Sequence, residues 1–177
     1  MLKMVGLPLL AFAGWLSLTG CSHPNSTQID FAMGEKVPVG LLTYSVIDST
    51  WMPQLGEGYK IRSPNQRFLL LTVSVTNGGG QEVSIPLLKA EGSNGQIYTE
   101  EPNGEGVEQW IGILRTIGPA QTLQGRLLFD VPLTSYRLRL VDGADPAFEK
   151  FAFVTVPLNL NADTPVFTSP LPGQPSK

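Results

Sequence analysis

In Phe68-Leu69-Leu70-Leu71-Thr72-Val73-Ser74-Val75-Thr76-Asn77, the residues Leu69, Leu71, Val73 and Val75 fall on one face of an extended chain, and Thr72, Ser74 and Thr76 on the other. A period of two belongs to a β-strand with one buried face, so this segment needs a sheet and a covering layer. The pattern returns in Thr122–Pro132, where Leu123, Leu127, Phe129 and Val131 point inward and Gln124, Arg126 and Asp130 outward. It returns again in Tyr136, Leu138 and Leu140 against Arg137 and Arg139. Weaker strand candidates are Val39–Asp48, Val83–Ala90, Ile97–Thr99, Glu108–Leu114 and Phe151–Val156. Apolar residues nowhere repeat at the spacing of an amphipathic helix. Gly 19 and Pro 15 out of 177 residues also work against long helices.

Turn signals separate the strands: Asn77-Gly78-Gly79-Gly80, Ser93-Asn94-Gly95, Asn103-Gly104, Gly118-Pro119 and Asp142-Gly143. In Glu91–Gln96, Asn94-Gly95 supplies the positive φ angles of a tight hairpin. About seven to nine short strands with spaced turns predict an all-β fold, an immunoglobulin-like two-sheet antiparallel sandwich, with a barrel as the competing closure. The length of 177 residues suits one such domain, placed at residues 34–157. The segment Trp51–Gln66, with Pro53, Gly56, Gly58 and Pro64, is too long for a hairpin turn and too broken for a strand; it is expected to be a mobile loop.

The two ends read differently. Residues 1–20 carry Lys3 and then an uncharged apolar run to Leu18, the pattern of a signal peptide and shorter than a bilayer-spanning helix. Leu18-Thr19-Gly20-Cys21 resembles the lipobox of bacterial lipoproteins. That resemblance implies cleavage between Gly20 and Cys21, lipid on the Cys21 sulfur, and a membrane as one partner. Each buried methylene adds about 0.8 kcal/mol, so two or three acyl chains anchor stably. Ser22 after the cysteine implies an outer-membrane destination in a cell that has one. Residues 21–33 then read as a flexible tether, and residues 158–177, with Pro165, Pro170, Pro172 and Pro175, as an extended disordered tail.

Several chemistries find no residues. A net charge of −3 offers no footprint for nucleic acid. The one histidine, His23, sits beside the proposed lipid, so a Ser-His-Asp triad is not expected. One cysteine and one histidine cannot build a zinc site, and no metal or cofactor is expected. The acidic run Glu100–Glu108 lacks EF-hand spacing and reads as a solvated loop.

What remains is binding. Trp51, Tyr59 and Trp110 lie in or near predicted loops, where an exposed ring anchors a partner or stacks on a sugar; for Trp110, core packing is an equal reading. Lys60, Arg62 and Arg67 lend the same region a basic character suited to anionic headgroups or an acidic partner, with a solvated edge as the alternative.

Three stretches resemble a bacterial extracellular domain family of uncharacterised function, common in lipoproteins, which shares an immunoglobulin-like sandwich with a mycobacterial secreted immunoprotective antigen. They are Arg67–Gly78, Leu88 through Gly92-Ser93-Asn94-Gly95-Gln96-Ile97-Tyr98, and Ile117–Pro132. In the last, Gly118-Pro119-Ala120 stands where the family often has Pro-Gly. The resemblance implies a non-catalytic, lipid-anchored envelope or surface protein that binds a protein partner or supports an assembly. Contact is expected through the 51–66 loop or by strand addition at a sheet edge. The alternative is a carbohydrate or small-ligand module using the loop aromatics.

Overall fold

The alternation over Phe68–Asn77 forms β4, a central strand of the computed structural model, which describes residues 30–159 apart from Pro146. Signal segment 1–20, the tether as far as residue 29, and the tail from residue 160 lie outside the described residues. Eleven strands follow in order: β1 Asp30–Ala32, β2 Val37–Val39, β3 Leu42–Met52, β4, β5 Val83–Ser84, β6 Lys89–Gly92, β7 Ile97–Thr99, β8 Thr116–Ile117, β9 Thr122–Asp130, β10 Tyr136–Val141 and β11 Phe151–Val156. A four-stranded sheet β2-β3-β4-β9 packs against a five-stranded sheet β1-β11-β10-β6-β7, and β5 pairs with β8 at the side. No described helix is long and apolar enough to cross a membrane.

Leu69, Leu71, Val73 and Val75 of β4 meet Leu127 and Phe129 of β9 and Leu138 and Leu140 of β10 in one buried core. Each such side chain contributes about 1.5–3 kcal/mol of transfer free energy. Phe68 and Leu70, on the opposite face of β4, are buried too, in a second cluster with Leu55 and Leu128. Two covered faces explain why Phe68–Leu71 reads as an unbroken apolar run before the alternation begins.

The sequence expectations for β7 and β11 match their observed limits, and four others need correction. Val39–Asp48 is broken by the Gly40-Leu41 turn, where Gly40 takes a positive φ, so Val39 ends β2 and β3 runs from Leu42 on to Met52. Val83–Ala90 is divided, because Pro86 cannot donate to a ladder and separates β5 from β6. Glu108–Leu114 forms no strand; it touches the sheet through a single bridge, Trp110 to Arg126. Asp30–Ala32, expected in the tether, pairs in parallel with Phe153–Thr155 as β1, so the sandwich begins before residue 34.

Strand register defines two ends. At one, here the proximal end, Leu42 pairs with Asn77 and Val141 with Phe151, while Tyr44 Oη donates to the Val141 carbonyl at 2.7 Å. β1 runs parallel to β11, so the chain joins the sandwich from this proximal side. At the other, distal end, Met52 pairs with Phe68 and Phe68 with Asp130, and the rings of Trp51 and Tyr136 lie 6.3 Å apart. The eleven residues of β3 hold the ends about 35 Å apart.

Candidate functional site

Trp51 is the first sequence candidate to be reassigned. A bulge between Val46 and Asp48 shifts the register of β3 by one residue. Ahead of it, Leu42, Tyr44 and Val46 face the core; beyond it the phase reverses, and Ser49 and Trp51 face inward opposite Leu71 and Leu69. Trp51 therefore packs in the distal core, with its Nε1 buried, and is not an exposed platform. The connecting segment starts only at Pro53.

That segment, 53–67, is braced at several points, against the expectation of a mobile loop. Leu55 and Arg62 exchange backbone hydrogen bonds at 2.9 and 2.8 Å. Asp130, at the end of β9, accepts from the amides of Asn65 and Gln66 at 2.6 and 2.8 Å. Arg62 donates to the Glu101 carboxylate at 2.7 Å and the Asn103 carbonyl at 2.6 Å, and its guanidinium lies 5.1 Å from the Phe68 ring centre. Gly106 packs against the backbone of Gly56 closely enough to leave no room for a β-carbon. Segments 53–67 and 101–110 thus form one two-loop cap over the cluster Leu55, Phe68, Leu70 and Leu128.

Tyr59 and Lys60 stand on a single 3-10 turn, Gly58–Lys60, at the outside of this cap. Tyr59 is 95% exposed, Ile61 49% exposed, and Lys60 Nζ lies 6.0 Å from the Tyr59 ring centre. Ile61 is a site residue that sequence reasoning misses, although the alternation of Tyr59 and Ile61 with Lys60 and Arg62 is a signal for it. Arg62 is engaged within the cap instead of facing a partner. Trp110 packs flat on Gly104 with its Nε1 buried, so of the three aromatic candidates only Tyr59 is offered to solvent.

The acidic run is also reassigned. Glu100 is buried and held by Arg115, and Glu101 is the partner of Arg62. Among the described residues no three His, Cys, Asp or Glu side chains gather into a metal site. An open groove of about 350 Å³ on the outer face of the four-stranded sheet is lined by Lys36, Thr43, Tyr44, Ser45, Ser74 and Thr76. It carries hydroxyls and one amine, with no exposed ring. The edges of the four-stranded sheet are blunted: β2 has Pro38 at its centre, and β9 bonds through Arg126 and Leu128 to Gln109, Ile111 and Glu101. Cys21 and Gly20, the lipidation and cleavage residues, lie outside the described residues.

Fold and cap together define a two-sheet, immunoglobulin-like sandwich of the kind built as a scaffold for loops. The chain belongs to the family described as Domain of unknown function (DUF4352), which matches residues 31–153. Among solved structures it is similar to the yjhA protein of Bacillus subtilis, with 16% identity, TM-score 0.55, and 71% of this chain and 98% of that one covered. It is similar to the ycdA protein of the same species, described as a candidate lipoprotein, with 15% identity and TM-score 0.53. That match covers 70% of this chain and 38% of the other. It is also similar to the secreted protein MPT63 of Mycobacterium tuberculosis, with 17% identity, TM-score 0.50, and 75% and 98% covered. At these identities the likeness is one of fold. No curated protein sequence matches the chain.

Proposed function

We propose that this protein is a lipid-anchored display module of the bacterial envelope. It binds a protein partner through the distal cap, with Tyr59 as the anchor and Ile61 and Lys60 beside it, and performs no chemistry of its own. The observation that carries this reading is one of placement: the chain joins the sandwich at the proximal end, and the segment that bears Tyr59 leaves and re-enters the sheet at the opposite one, between Met52 and Phe68. A lipid on Cys21 then leaves the cap facing away from the bilayer, at the far side of strands about 35 Å long.

The braced cap supports the same reading. An aromatic side chain on a pre-ordered loop loses little conformational entropy on binding, which is what allows a few residues to dominate an interface. A glycan platform draws less support, since Trp51 and Trp110 are packed inward and leave Tyr59 as the one exposed ring of the cap. Strand addition to the four-stranded sheet is opposed by Pro38 and by the covered edge of β9.

In-cell photocrosslinking tests the proposal, with benzoylphenylalanine placed at Tyr59 or, as the control, at Leu41 at the proximal end. A discrete protein adduct is expected from position 59, and substituting Ile61→Ser should weaken it. Equal adducts from both positions, or none from 59, would remove the proposed partner surface.

A further inference from the structure

We infer that the proximal end of the sandwich seats directly on the lipid bilayer, with Phe148 and Leu41 entering the boundary between headgroups and acyl chains and Phe151 at the rim of the contact. The inference rests on the lipid attachment at Cys21 proposed above. Phe148 is 80% exposed, Leu41 56% and Phe151 49%, and all three belong to the proximal end. Leu41 sits at the tip of the β2–β3 hairpin. Phe148 and Phe151 belong to the β10–β11 connection and the first residue of β11.

Phe148 and Leu41 are carried on braced backbone, while the Phe151 ring lies on the face of the five-stranded sheet, 5.9 Å from the Phe153 ring centre and 4.5 Å from the Arg139 guanidinium. The Asp142 amide donates to the Lys150 carbonyl at 3.1 Å, and that of Phe148 to the Asp145 carbonyl at 2.8 Å. The Asp142 carboxylate accepts from the amides of Ala144 and Lys150, and that of Asp145 from the amide of Ala147. On the hairpin, the Leu41 carbonyl accepts from Gly78 at 2.8 Å. Gly40 packs against the Asp142 side chain, so the two loops adjoin.

The occupant follows from chain length. Eight residues lie between Cys21 and Asp30, and at 3.3–3.6 Å per step the nine steps reach at most about 32 Å. The proximal end is therefore confined near any surface that holds the lipid. Under that confinement a weak contact suffices, because the domain is already at high effective concentration. Phe and Leu side chains contribute about 1.5–3 kcal/mol each when fully removed from water. Charge points to apolar insertion and away from headgroup attraction: Asp142 and Asp145 serve the loop backbone, Arg139 is paired with Glu149, and Lys150 is the one further cation of the connection. The contact should form on zwitterionic lipid and persist in salt.

The test uses the mature, lipidated full chain in phosphatidylcholine vesicles. Cys21 is the only native cysteine and its sulfur would be acylated, so Phe148→Cys and, separately, Tyr59→Cys each take one fluorescent thiol label. The label at 148 should shift to the blue and be quenched several-fold more strongly by doxyl-phosphatidylcholine than the label at 59, in low and in high salt alike. Palmitate on Cys21 is verified by mass on the same sample. With palmitate present, an unquenched label at 148 or equal quenching at both positions overturns the seating and leaves the anchor standing. Energy transfer between 148 labels on two copies, without quenching by the doxyl lipid, overturns it equally. Absence of palmitate removes both readings together.

Discussion

Arg115 and Glu100 form a two-pronged ion pair, Nη2 to Oε1 at 2.7 Å and Nη1 to Oε2 at 2.9 Å, with each side chain 1% exposed. Glu100 also accepts from the Leu88 amide, and Arg115 donates to the carbonyls of Pro86 and Gly112. The pair therefore ties three crossing segments at the side where the sheets have no strand in common. A planar guanidinium suits this role, since its fork satisfies a carboxylate and two carbonyls at once.

Removing one partner should be worse than removing both. Arg115→Met leaves a buried carboxylate unpaired and is expected to cost about 3–5 kcal/mol in urea unfolding. Adding Glu100→Gln should return part of that loss. A double variant less stable than Arg115→Met would show that the pair is not the unit that matters.

Gly104→Ala should expel Trp110. A β-carbon at Gly104 would fall inside the indole of Trp110. The expected result is a red-shifted tryptophan emission and faster hydrogen exchange at the Val107 amide, which donates to the Gly104 carbonyl at 2.9 Å. An unshifted spectrum would mean that the cap relaxes around the methyl group.

Strand alternation makes most of the sandwich legible in the sequence, because period two is a direct consequence of the pleat. Phe151–Val156 and Ile97–Thr99 are legible for that reason, and Pro86 marks its break in plain view. Effects that depend on tertiary neighbours are hidden. The bulge at Val46/Asp48 leaves no sequence mark, yet it decides that Trp51 faces inward. Asp30–Ala32 is too short to show a period and exists as a strand because β11 offers an edge. The acidic run reads as solvated because nothing in its spacing says that Arg115, fifteen residues later, returns to Glu100. At the candidate site, the exposure of Tyr59 is expected from the sequence, whereas the brace through Arg62 and Asp130 is not, since both bonds join residues about forty or more positions apart.

Alkaline pH should unfold the domain through its tyrosines. Burial is the main cause raising the Tyr44 phenol, with Glu100 and Asp142 adding to it and Arg115 opposing. Burial and then Tyr98 push Tyr136 up to about 12. Phenols in the unfolded chain ionise near 10, so above that pH the unfolded state binds fewer protons than the folded one. The stabilisation is complete below pH ~10 and is lost as pH rises toward the folded values. Tyr44→Phe loses the bond to Val141 and should cost about 1 kcal/mol at neutral pH. That deficit should shrink above pH ~10, where phenylalanine has no proton to keep. A deficit constant to pH 12 would contradict the assignment.

Trp51 and Tyr59 give the sharpest contrast between core and surface. Eight residues apart, one is packed beside Tyr136 and the other is 95% exposed. Trp51→Ala is expected to cost about 3–5 kcal/mol by leaving a cavity in the distal core. Any loss of partner binding it causes should then follow unfolding and recover on cooling. Tyr59→Ala should leave the thermal midpoint within about a degree of the parent, since exposed substitutions change stability little. It should still abolish the crosslink from a probe placed at Ile61. The two effects are separated by measuring both quantities on each variant. Tyr59→Ala that retains the crosslink, or Trp51→Ala that loses it while fully folded, would move the binding surface from the cap to the core side of β3.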